Sequence, residues 1–227
     1  MKNREFESLS KQYLLPDMPG YVIKGKLLFR TPIGLILHGF CFEPSEWDKS
    51  RFRIEVMVQP LYVTEDHLVF LISHDFGVIS EKNKAQQWWN MDNGEKNVMA
   101  DVRKRMLTVG VKWLSQYASP YDIVLKAQRE WPFDDPYLLR AIAYSWIICG
   151  REREADEAIM KIHMIFNSLD TWYPWMHKFS DEVTMISKLL HKDVEKAKEQ
   201  LMIFRNYTIA KLGLEKWSSE IIQGGER

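Results

Sequence analysis

The chain has no excess of charge of either sign: 31 Lys plus Arg stand against 31 Asp plus Glu over 227 residues. A phosphate backbone is held by clustered cations, so nucleic acid is not an expected partner. Long apolar runs are missing as well. No window approaches the roughly 20 apolar residues of a membrane-spanning helix. The opening Met1-Lys2-Asn3-Arg4-Glu5-Phe6-Glu7 alternates charges where a secretory leader carries an apolar stretch. The expectation is a cytoplasmic protein with no membrane partner. Cysteine is scarce: Cys41 and Cys149 each lie among apolar neighbours and read as buried, inert free thiols; the sequence does not exclude a disulfide between them, but a cytosolic setting speaks against one. The eleven glycines are scattered. None gathers into a loop that would cradle a phosphate ahead of a helix, and Gly34, Gly39 and Gly77 read as strand bends. No cofactor is expected.

What the chain does have is enough apolar material for a core, 46% of its residues. In Arg51-Phe52-Arg53-Ile54-Glu55-Val56-Met57-Val58-Gln59, Phe52, Ile54, Val56 and Val58 alternate with polar or flexible residues, the signature of a half-buried strand. Pro60-Leu61-Tyr62-Val63 and His67-Leu68-Val69-Phe70-Leu71-Ile72 continue the β-prone character. Residues 21–30, with a bend at Gly25, and Ile33 to Phe42 read as earlier strands, and the polar stretch 43–50 as a surface loop. Phe6, Leu9, Tyr13 and Leu14 have helical spacing, so a short amphipathic helix opens the fold and covers one face of the sheet.

From 78 to 93 the pattern is lost, and Asn93-Gly94 is a turn signal. Beyond it every segment is helical. Val98, Val102, Met106, Val109, Trp113 and Leu114 form one stripe, and Ile123, Leu125 and Ala127 a shorter one ending near Trp131-Pro132. Asp134 and Asp135 cap a helix that begins at Pro136 and stops at Gly150. Further helices carry Ala155 to Phe166, Val183 to Leu190 and Val194 to Tyr207, and the ending 223–227 is expected to fray. The fold class is therefore α+β: an N-terminal helix with a small antiparallel sheet, then a C-terminal bundle of antiparallel helical hairpins. The expected division is an α+β domain over 1–92 and an all-helical domain over 93–227.

Chemistry-bearing patterns are few. His38, His67, His74, His163, His177 and His191 form no closely spaced pair backed by a carboxylate or thiolate, so no metal site is expected. His74-Asp75 comes nearest, but adjacent strand residues point to opposite faces. There is no Gly-x-Ser-x-Gly elbow to activate a serine. Glu43, Glu46 and Asp48 crowd one loop and Glu65-Asp66 another, the arrangement from which an acid and base pair is built and also the ordinary polarity of loops. Aromatics are more informative. Trp47 stands in an otherwise charged loop beside Glu46, and Trp172-Tyr173-Pro174-Trp175 places three rings between two helices. Tryptophan and tyrosine are enriched at binding hot spots, and they also seal helix junctions. The candidate binding residues are Trp47, Glu46, Trp172, Tyr173 and Trp175; no residue is assigned a catalytic role.

Residues 20–30, Leu37-His38-Gly39-Phe40-Cys41-Phe42-Glu43-Pro44-Ser45 and Val56-Met57-Val58-Gln59-Pro60-Leu61-Tyr62-Val63 resemble a group of uncharacterised bacterial proteins, over roughly residues 15 to 77. These join a small α+β domain of unknown function to a helical C-terminal region. The resemblance implies a bacterial cytosolic setting, and the look is shared with proposed immunity proteins that neutralise toxins. The pair of helices over 135–167, with Ala143, Gly150 and Ala155, resembles one tetratricopeptide-type hairpin; Ala197 would match Ala155 in a second turn, at a spacing longer than that family's repeat of about 34 residues, so this is a helical-hairpin resemblance and not a repeat assignment.

Three readings follow. The first is a non-enzymatic bacterial protein-binding module with a protein partner, in its most concrete version a toxin-neutralising component of a conflict system. The second is an enzyme with an unrecognised carboxylate or histidine site in the N-terminal domain, centred on Glu43, Glu46, His67 or His74. The third is a structural homo-oligomer component.

Overall fold

The computed structural model describes residues 1–75, 88–130 and 135–219. The expectations for 78–87, Gly77, Trp131-Pro132, Asp134 and the end 223–227 fall outside these residues. The architecture is α+β, a small antiparallel sheet in the N-terminal part followed by C-terminal helices. The chain divides into two compact units: Met1–Gln59 with Ile72–Gln116 and Lys216–Arg227, and Pro60–Leu71 with Tyr117–Glu215. A single cut between 92 and 93 does not describe this division, because 60–71 goes with the helices and 93–116 with the sheet.

In the first unit, α1 (Asn3–Tyr13) precedes strands β1 (Tyr21–Lys24), β2 (Leu27–Arg30), β3 (Ile36–Pro44), β4 (Arg51–Pro60), β5 (Ile72–Asp75) and β6 (Trp89–Asn90). The sheet order is β1-β2-β3-β4-β5, and β6 pairs with β4 at Arg51↔Asn90 and Phe52↔Trp89. Phe52, Ile54, Val56 and Val58 are all buried as their alternation requires. Met57 and Gln59 are buried too, so the strand is half-wet only over its first half. The buried face of β4 meets α1: Phe6 stacks on Phe42 at 5.1 Å and meets Phe52 edge-on at 5.7 Å. Phe52 in turn stacks on Trp89 at 5.8 Å.

Gly39 on β3 is read as a bend but serves close approach, since a Cβ there would lie 2.9 Å from the Leu28 carbonyl oxygen of β2. Cys41, buried on β3, has its thiol pushed up to about 11 by desolvation, the inert state expected of it. α2 (Glu95–Arg105) continues through a π-turn over Met106–Gly110 into α3 (Val111–Leu114). Trp89 Nε1 donates to Asp101 Oδ2 at 2.9 Å, fixing β6 to α2.

The second unit holds α4 (Pro120–Glu130), α5 (Pro136–Ile148), α6 (Glu152–Asn167), α7 (Pro174–Lys192) and α8 (Val194–Leu212). Asp135 caps α5, accepting from the Tyr137 and Leu138 amides at 2.8 and 3.3 Å. Gly150, at φ +69°, reverses the chain between α5 and α6, where Ala143 and Ala155 are both fully buried. A single residue, Asp193, joins α7 to α8, and its side chain accepts from the Glu195 amide at 2.9 Å. Among the described residues no helix is long and apolar enough to cross a membrane.

Residues 61–71 correct the sequence reading. Their β-prone run forms no strand, and pairing resumes only at Ile72. Leu61 and Tyr62 are instead fully buried within the helical unit, so packing takes the place of a hydrogen-bond ladder.

Candidate functional site

The segment after Pro60 is bolted to the helices by its polar atoms. Ser145 Oγ donates to the Ala141 carbonyl at 2.7 Å, which uses its one proton. Tyr62 is therefore the donor in the 2.6 Å contact between its hydroxyl and Ser145 Oγ. Thr208 Oγ1 donates to the Val63 carbonyl at 3.0 Å and accepts from the Glu65 amide at 3.2 Å. These contacts hold Thr64, Glu65, Asp66 and His67 at the edge of a cavity of about 320 Å³.

Helical spacing supplies the rest of the lining. On α7, Trp175, Lys178, Phe179 and Glu182 occur at i, i+3, i+4 and i+7 and so share one face. On α5, Tyr137 and Arg140 lie one turn apart, and α8 adds Tyr207.

Arg140 organises the floor. It is 5% exposed. Its Nη2 donates to Glu65 Oε1 at 2.5 Å and its Nη1 to Glu182 Oε1 at 3.3 Å. Its guanidinium lies over the Phe179 ring at 4.5 Å and the Tyr137 ring at 5.8 Å. Glu182 also accepts from the Tyr144 hydroxyl at 3.0 Å through Oε1 and from the Thr64 hydroxyl through Oε2. Buried charges survive when paired and hydrogen-bonded; here the two Nη groups are satisfied, while Arg140 Nε is buried with no hydrogen-bond partner among the described residues. Burial pushes the Tyr144 hydroxyl well up, and the Glu182 charge adds to that, so the tyrosine stays a donor.

The two neighbouring carboxylates respond in opposite directions. Desolvation raises Glu65 above the ordinary glutamate value, outweighing the attraction of Arg140 and His67. Asp66 is lowered, first by the Tyr207 hydroxyl, which donates to Oδ1 at 2.5 Å, and then by Lys211 and Lys178. Over the whole lining, Glu65, Asp66 and Glu182 oppose Arg140 and Lys178.

The rings form a layer above this floor. Tyr137 stacks on Trp175 with centroids 5.5 Å apart and planes at 21°, and Phe179 meets Tyr137 edge-on at 5.2 Å. Trp175, Tyr137 and Tyr207 remain 42%, 38% and 41% exposed.

No protein family, curated protein or solved structure matches this chain. The site is therefore read from its own chemistry.

The sequence candidates have separate fates. Trp175 lines the cavity, but from the first turn of α7 and not from an inter-helix loop, because Pro174 starts the helix. Trp172 is folded back: its Nε1 donates to the Phe166 carbonyl at 2.9 Å and its ring meets Phe166 edge-on. Tyr173 is exposed just ahead of the helix.

Trp47 is 96% exposed at the tip of the β3–β4 loop. Ser45 Oγ accepts from the Trp47 and Asp48 amides, both at 3.2 Å, so the turn that presents the ring is well defined. Glu46 beside it is exposed. The catalytic grouping does not assemble as expected. Glu43 is bound to Arg53 at 2.5 Å, His74 is exposed on β5, and His67 alone of the four lines the cavity. Arg140, Glu182, Tyr137 and Tyr207 went unread in the sequence. Arg140 carried a signal, a lone cation on an otherwise apolar helix face. Among the described residues no three His, Cys, Asp or Glu side chains converge as a metal ion would need.

Proposed function

We propose that this chain is a non-enzymatic recognition protein that takes a segment of a protein partner into the cavity of its helical unit. One observation carries the reading. The exposed rings Tyr137, Trp175 and Tyr207 surround a floor held rigid by the buried Arg140. Tryptophan, tyrosine and arginine dominate binding hot spots, where large rigid surfaces lose little entropy on contact. The cross-tied floor suits recognition, because the shape is set before the partner arrives. Neutralising a toxin within a bacterial conflict system is the concrete form of this proposal.

The test places a photo-crosslinking amino acid at Lys178 and identifies what it captures in the native cell. A single protein captured through one contiguous peptide is the expected result, with capture lost in Trp175→Ala. Capture unaffected by Trp175→Ala and Tyr137→Ala overturns the reading.

A catalytic alternative rests on Glu65 and Asp66, whose proton affinities move apart within one cavity as those of an acid and a base do. It calls for a small substrate whose turnover disappears in both Glu65→Gln and Asp66→Asn.

A further inference from the structure

Arg140 is buried with one donor unused. Its Nη2 and Nη1 groups donate to Glu65 and Glu182 at 2.5 and 3.3 Å, while its Nε has no hydrogen-bond partner among the described residues. The side chain lines the cavity and is only 6% exposed. A buried N–H without an acceptor is costly, and a ligand that brings an acceptor oxygen relieves the cost.

Charge narrows the kind of acceptor. Glu65 and Glu182 already share the Arg140 guanidinium, and Asp66 stands on the same lining, where Lys178 is the other permanent cation. A carboxylate or phosphate would set one more anion beside three, and like charges repel strongly where water is thinned. A carbonyl oxygen accepts without bringing that charge. The exposed Asp66 carboxylate offers an acceptor in its turn. A carboxamide answers both, with an acceptor oxygen and two N–H donors on one flat group. Flat groups also suit the partly exposed faces of Tyr137 and Trp175, which stack with planes at 21°.

Resting on the recognition reading, we infer that the cavity takes a carboxamide of the partner, the side chain of an asparagine or glutamine, whose carbonyl oxygen accepts from Arg140 Nε. A side chain that covers Nε must yield to admit it. Between Tyr137 and Phe179, whose rings face the guanidinium at 5.8 and 4.5 Å, Tyr137 has the room to turn, being 38% exposed while Phe179 is buried. The ties to Glu65 and Glu182 hold the guanidinium in place as that ring moves.

The probes are the blocked amino acids Nα-acetyl-glutamine methylamide and Nα-acetyl-asparagine methylamide. Their apolar and anionic counterparts are the norleucine and glutamate compounds, which carry the same main-chain amides. Binding is followed on the full chain by the Nε–H resonance of Arg140, assigned by through-bond connection to its own backbone. Hydrogen bonding moves such a proton downfield. A saturable downfield shift is expected with at least one carboxamide probe, at an affinity about tenfold or more above that of the norleucine and glutamate compounds. Arg140→Lys, which keeps the charge and removes Nε, is expected to weaken the carboxamide about tenfold or more; if that chain does not fold, the resonance in the parent chain decides alone. Equal or tighter binding of the norleucine or glutamate compound overturns the inference. Absence of saturation with both carboxamides, or saturation that leaves the Arg140 Nε–H unmoved, does the same. If the partner crosslink at Lys178 persists while the carboxamides fail, this inference falls and the recognition reading stands; loss of both removes both.

Discussion

Glu65 is held by its surroundings in a state that disfavours its charge. Its folded proton affinity is raised by desolvation, so the folded chain binds that proton more tightly than the unfolded chain does. The contribution is fully present below the ordinary glutamate value and is lost as pH rises through the raised one. At neutral pH the charged Glu65 therefore costs stability relative to its protonated form. Glu65→Gln removes that cost and also takes a charged partner from the buried Arg140, so it is expected to change stability at pH 7 by no more than about 2 kcal/mol in a urea titration.

Arg140 is the opposite case. Arg140→Met strands two half-buried carboxylates and is expected to cost about 2–3 kcal/mol in the same urea titration. The pH dependence of stability follows the same sign: in urea titrations across the acid range, Glu65→Gln is expected to remove the contribution that is lost as pH rises through the raised Glu65 value.

At the scale of elements, most of the chain was legible. The alternation of Phe52, Ile54, Val56 and Val58 marked β4, and Asp135-Pro136 marked the start of α5, because strand period and capping chemistry are local properties. Asp135→Ala is expected to cost about 1 kcal/mol by loss of the cap, read as a fall in the thermal midpoint. The failures also have local causes. Gly39 reads as a bend because a sequence does not show what approaches it, and the approach here is the Leu28 carbonyl. Gly39→Ala is accordingly expected to cost about 1–3 kcal/mol, since the obstruction is backbone and cannot turn aside. Residues 61–71 read as strand because Leu61, Tyr62 and Val63 have the composition of one. β-propensity measures fitness for a half-buried surface, and helices supply such a surface as well as strands do.

For the whole molecule, the chain passes between its two units at 59/60, 71/72, 116/117 and 215/216. A chain cut between 92 and 93 would take α2 from the sheet and the 60–71 segment from the helices. Neither piece is expected to unfold cooperatively alone, which denaturant titration of the two separate pieces would show. The C-terminal stretch belongs to the sheet unit for a visible reason. The Ile33 amide donates to the Trp217 carbonyl at 2.8 Å, the Ser219 amide donates to the Ile33 carbonyl at 3.0 Å, and Trp217 meets Phe29 edge-on. Hydrogen exchange offers a further check: amides of 61–66 should share the protection of α5 and α8, because Tyr62, Val63 and Glu65 are tied to those helices.

By itself, the sequence determined the α+β class, most of the helices, the first four strands, the cap of α5 and the aromatic richness, all of which arise from residues near one another along the chain. It did not determine the site. Arg140 meets Glu65 across 75 positions and Glu182 across 42, and no local period records such a meeting. Only the tertiary structure decided that these three charges share one buried floor. Only there could the buried Arg140 Nε be seen without a partner among the described residues, because a partner is missing only once every neighbour has been placed.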